Sequence, residues 1–114
     1  MDDSIEMMDL IKTILERDAQ ISVRTCNNPK KVSGHLSKGM FNVLISDFAM
    51  PGMNGMELFR QVRSEGYTLP CILYSCYSQE EIQRSCPDDV PYHYIQKKGH
   101  IIHQCEKIRS LIMR

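Results

Sequence analysis

The sequence predicts an α/β fold, a doubly wound parallel sheet with helices on both faces. Two observations carry this. Segments with helical spacing alternate with short apolar runs along the chain, the pattern of strand–helix–strand units with parallel strands. The apolar runs are continuous rather than alternating, as in "VLIS" and "PCILYS", which marks strands covered on both faces. The 114 residues suffice for one domain with a real core, and residues 1–114 are expected to form it.

Each element follows in order. From Ser4 to about Asp18, Met7, Ile11, Ile14 and Leu15 recur at helical spacing. Asp3 and Glu6 stand three apart, like a capping box. "QISVRTC" is short and β-rich. "PKKVSGHLSKGM" opens a second helix at Pro29 and closes it at Gly39. In "MFNVLISDF", Val43, Leu44 and Ile45 form a buried strand, and "PGMNG" is turn chemistry. "MELFRQVRSEG" places Leu58, Phe59 and Val62 on one helical face and stops at Gly66. "PCILYS" is another buried strand. "SQEEIQRSCP" is a weak helix around Ile82, ended by Pro87, and "YHYIQ" is strand-like. From about Gly99, Ile101, Cys105, Ile108 and Ile112 return to helical spacing. The expected total is five helices and four strands.

Composition excludes several functions. Hydrophobic residues make up 42%, too many for a disordered chain. Fourteen basic residues balance fourteen acidic ones, so no net charge draws the chain to nucleic acid or an anionic membrane. No apolar run approaches the roughly 20 residues of a membrane span. The five cysteines show no C-x-x-C pair and read as reduced thiols, with a cytoplasmic location expected. "GHIIHQC" suggests a metal site, but His100 and His103 share a helical face that Cys105 leaves, and no fourth ligand is evident.

Ligands of parallel α/β sheets sit beyond the carboxyl ends of the strands. The polar residues there are Asp47 after "VLIS", Ser75 after "CILY" and Lys97 after "YHYIQ"; Asp2 and Asp3 precede the first helix. Three carboxylates together repel one another unless a cation joins them. Hard oxygen ligands of this kind suit Mg²⁺. A lysine and a hydroxyl opposite the metal suit the anionic oxygens of a phosphoryl group.

"LISDFAMPGMNGMELFRQVR" resembles the phosphoacceptor segment of response-regulator receiver domains, the chemotaxis-regulator family. The separations agree with it. Asp3 lies 44 positions before Asp47, Ser75 lies 28 after it, and Lys97 lies 22 after Ser75. The resemblance covers nearly the whole chain and implies a flavodoxin-like fold. It also implies a switch in a two-component system, not a conventional enzyme. Asp47 would take a phosphoryl group from the phosphohistidine of a histidine kinase or phosphotransfer protein. Mg²⁺ would be held by Asp3, Asp47 and the Ala49 carbonyl, with Asp2 acting through water. Lys97 would pair with a phosphoryl oxygen, Ser75 would donate to the phosphate, and Tyr94 would be the aromatic switch. A protein partner would read the face from about Ser78 to Arg114.

Some positions depart from the family pattern. Cys76 replaces a smaller residue. Lys98 replaces the proline that usually follows the lysine, often through a cis bond, so a trans bond and an altered aim for Lys97 are expected. Ala49 and Tyr77 occupy positions the family uses to tune dephosphorylation. The sequence opens at the acidic pair, so the family's central first strand, in the order 2-1-3-4-5, is expected to be missing. Truncation, a closed-up four-stranded sheet, dimerisation or strand exchange would each accommodate that. The competing function is a phosphorylation-independent interaction module with a decayed site. A haloacid-dehalogenase-like phosphatase would need Asp-x-Asp, and position 49 is Ala.

Overall fold

Backbone groups buried between layers need partners, and a parallel sheet supplies them. The computed structural model describes residues 5–18, 20–23, 29–39, 41–49, 52–85 and 91–112. In chain order these form α1 (Ile5–Leu15), a 3-10 turn (Pro29–Lys31), α2 (Val32–Lys38), β1 (Leu44–Ser46) and α3 (Gly55–Ser64). There follow β2 (Cys71–Ser75), α4 (Gln79–Ser85), β3 (His93–Gln96) and α5 (Ile101–Ile112). The strands lie in the order β1-β2-β3, all parallel, with Leu44 opposite Cys71 and Leu73 opposite Tyr94.

Side chains of a strand point alternately to its two faces. On β2, Ile72 and Tyr74 enter a core with Leu15, Ile95, Cys105 and Ile108, so α1 and α5 cover that face. Cys71 and Leu73 enter the opposite core with Met56, Phe59 and Ile82, under α3 and α4. All five β2 residues are buried, which is why "CILYS" is a continuous apolar run rather than an alternating one. Leu58 and Val62 extend the second core to Val32 and Leu36 of α2. Fully burying one such side chain contributes about 1.5–3 kcal/mol.

The five expected helices are present. Three of the four expected strands lie among the described residues. Gln20 to Val23, the start of the β-rich segment, bend off α1 through local bonds. The Gln20 and Ile21 amides donate to Asp18, at Oδ1 and the carbonyl, and the Val23 amide donates to Glu16 Oε2 at 2.9 Å. These bonds satisfy groups that a sheet ladder would otherwise use. The rest of that segment, residues 24–26, lies outside the described residues, as do Asp3 and its proposed cap. No helix among the described residues is long and apolar enough to cross a membrane.

Asp18 also ties α1 to α5. Its Oδ2 accepts from Arg109 Nη2 at 2.8 Å and Nε at 3.1 Å, a two-pronged contact. The Gln20 amide, and after it the Arg109 guanidinium, hold the Asp18 carboxyl below its ordinary value of 3.8. A carboxyl lowered on folding adds stability above its unfolded value, and that stability is lost as pH falls through the folded value. Asp18→Asn should therefore lower the urea midpoint at pH 7, with the deficit shrinking as the pH drops below about 3.8. A deficit constant across that range in equilibrium unfolding would contradict the assignment.

Candidate functional site

Parallel strands place their carboxyl ends along one edge. Asp47 follows the last residue of β1, Ser75 is the last residue of β2, and Lys97 follows the last residue of β3. Because the three strands are neighbours in that order, residues far apart in sequence converge. Lys97 Nζ lies 3.0 Å from Asp47 Oδ2, with the two side chains 13% and 12% exposed. The other carboxylate oxygen, Oδ1, accepts the Phe48 amide at 2.7 Å.

Lys97 is held by its backbone as well. Its N–H donates to the Ser75 carbonyl at 2.7 Å, and the Lys98 N–H to the Gln96 carbonyl at 2.8 Å. The bond between Lys97 and Lys98 is trans, as expected without a proline. The lysine nevertheless reaches Asp47. Gly99 then turns the chain with φ +87°, a conformation that favours glycine.

Ser75 is fully buried. Its Oγ accepts the Tyr77 amide at 3.1 Å, a local turn of the kind hydroxyls make after strands. Tyr94 is half-buried beside the α3–α4 core, and its hydroxyl donates to the Tyr77 carbonyl. Burial, then the negative charge of Glu81, raises the Tyr94 phenol above its ordinary value. Tyr77 also meets Phe48 edge to face at 5.8 Å, joining the loops after β1 and β2.

The loop after Asp47 closes tightly. The Gly55 N–H donates to the Phe48 carbonyl at 2.8 Å. A Cβ on Gly55 would sit 2.5 Å from the Asp47 carbonyl oxygen and 2.6 Å from Leu73 Cδ1. Asn54 caps α3: its side chain accepts the Glu57 amide while Glu57 accepts the Asn54 amide. Sequence reasoning missed both residues. The Asn-x-x-Glu spacing was a usable signal for the cap; nothing local announced the close approach at Gly55.

Among the described residues, the oxygens at the site that suit a hard cation are the Asp47 carboxylate and the carbonyl of exposed Ala49. The Asp47 side chain is 12% exposed and Ala49 is exposed, and a carboxylate with a backbone carbonyl two residues on is donor chemistry that fits Mg²⁺. Asp2 and Asp3 lie outside the described residues. No group of three His, Cys, Asp or Glu suited to a metal occurs among the described residues. His100 instead accepts the Ile102 amide at the start of α5, while Cys105 is buried in the core and its thiol is raised by that burial.

Comparison with known proteins agrees with this architecture. Residues 1–109 match the family model of the response regulator receiver domain. Over 90 residues, 76% of this chain, the sequence is 30% identical to the DNA-binding transcriptional regulator NtrC of Salmonella typhimurium. The chain spans 19% of NtrC and 63% of another curated relative. The Francisella response regulator 1452 receiver domain superposes with a TM-score of 0.81 at 21% identity, over 99% of this chain and 93% of that one. Response regulator TrrA of Thermotoga maritima, in complex with Mg²⁺–BeF, gives 0.76 at 24% identity, over 96% and 93%.

The close approach at Gly55 yields a stability test. Gly55→Ala should destabilise by about 1–3 kcal/mol, because the added methyl meets backbone and a packed leucine rather than a flexible side chain. Helix propensity alone would favour alanine, so an unchanged or raised denaturant midpoint would show that the loop can give way.

Proposed function

The chain belongs to the response-regulator receiver domains, and from that premise we propose that it is a phosphorylatable switch with Asp47 as the acceptor. The observation that carries the reading is the convergence of Asp47, Ser75 and Lys97 at three adjacent strand ends, with the lysine 3.0 Å from the carboxylate. In the proposed reaction a carboxylate oxygen of Asp47 attacks the phosphorus of a phosphohistidine on a kinase or phosphotransfer partner. The N–P bond breaks, its electron pair returns to the imidazole, and Asp47 becomes an acyl phosphate. Lys97 serves as the counter-charge for the transferred oxygens. The Ser75 hydroxyl, which accepts from Tyr77 in this structure, still has a proton to donate to a phosphoryl oxygen.

Asp47, the Ala49 carbonyl and Asp3 would hold Mg²⁺, with Asp2 acting through water. Bound there, the ion would neutralise charge on anionic oxygens. Tyr94 links the site to the partner face. Its hydroxyl rests on the Tyr77 carbonyl, next to the Ser75 turn, so movement of Ser75 toward a phosphate would release it inward. The face from about Ser78 to Arg114, including exposed Ile102, would carry the signal to a protein partner. A cytoplasmic location suits a partner kinase of this kind.

Incubation with a small phosphodonor and Mg²⁺ tests the reading. Intact-mass measurement should show one added phosphoryl group, absent in Asp47→Asn. Lys97→Ala should slow the reaction on the order of 100-fold, the scale of losing one charge-stabilising donor. An unshifted mass would reject the acceptor role and favour a phosphorylation-independent interaction module.

A further inference from the structure

Asp47 and the backbone are not the only groups that aim Lys97. Its ammonium lies 5.2 Å from the centroid of the Tyr74 ring, within cation–π range. Tyr74 is buried, and its hydroxyl donates to Oε1 of Gln104, itself 6% exposed. Gln104 Nε2 then donates to the Gly99 carbonyl at 3.2 Å. Gly99 is two residues beyond Lys97, so these contacts form a closed ring. The lysine side chain lies on Tyr74, Tyr74 bonds Gln104, and Gln104 grips the loop that carries the lysine.

A glutamine on the buried face of α5, beside Cys105 and Ile108, is costly there unless both ends of its amide are bonded. Both are: one bond holds the lysine loop at Gly99, and the other holds Tyr74, whose ring lies beneath the lysine. With a plain trans peptide and Lys98 after Lys97, no proline ring stiffens that loop. We infer that Tyr74 and Gln104 are positioning residues that fix the aim of Lys97 at the acceptor site. The inference rests on the proposed role of Asp47.

The test pairs a rate with a spectroscopic signature. Gln104→Leu removes both amide bonds, and Tyr74→Phe removes only the hydroxyl and keeps the ring. Each should slow phosphorylation by the small phosphodonor by about five-fold, the scale of one net hydrogen bond. In a Lys97→Ala background neither should have further effect, because a positioning residue acts through the lysine. In the unphosphorylated protein, the Lys97 Hε proton resonances should carry an upfield ring-current shift that diminishes in both variants. Losses that persist undiminished in the Lys97→Ala background, or Lys97 resonances that stay put in both variants, would overturn the inference. If the wild-type chain takes no phosphoryl group, the acceptor reading falls, and the resonance shift alone then decides whether Tyr74 and Gln104 aim the lysine.

Discussion

A carboxylate that is 12% exposed and an ammonium that is 13% exposed each lose most of their hydration. Their separation of 3.0 Å offsets that loss only while the geometry holds. Removing Lys97 would leave the Asp47 carboxylate with little water to replace its charge partner. Much of the sheet edge serves this constraint. The Ser75 carbonyl fixes the lysine backbone, the Phe48 amide holds the far carboxylate oxygen, and Gly55 lets the following helix approach the Asp47 carbonyl. The same requirement accounts for a site built at adjacent strand ends. The two charges follow the first and third strands of the β1-β2-β3 order and meet across the end of β2 through the parallel register.

The two faces of the sheet meet this edge through different residues. Tyr74, near the end of β2, points into the core under α1 and α5. Tyr94 on β3, opposite Leu73, lies at the core under α3 and α4. One tyrosine therefore bears on the lysine and the other on the turn after Ser75. Contacts at the Asp47–Lys97 edge therefore extend to both helical layers.

The fold was legible wherever burial dictates residue type. "CILYS" reads as a strand because both its faces are covered, and α3 reads as a helix because Phe59 and Val62 must point inward. For "QISVRTC" only its first four residues are described, and there β propensity says nothing of nearby carboxylates. Asp18 and Glu16 capture the amides of its first residues. At the site, Asp47, Ser75 and Lys97 were legible because strand ends translate sequence spacing into proximity. Tyr74 and Gln104 were not. A tyrosine in an apolar strand and a glutamine on a helix look ordinary until the tertiary fold brings their polar ends together. Gly55 sat unnoticed in a turn-rich stretch, since its role depends on Leu73, eighteen residues away.

Ser75 divides its duties between two parts of one residue. Its main-chain carbonyl is committed to Lys97, while its hydroxyl holds the Tyr77 amide by a single weak bond. The first belongs to the strand and is stiff; the second can rotate about one side-chain torsion. Ser75 thus behaves as a fulcrum, with a fixed bearing on one side and a free arm on the other. The backbone support of Lys97 and the side-chain contact to Tyr77 are thus two separate bonds that meet at one buried residue.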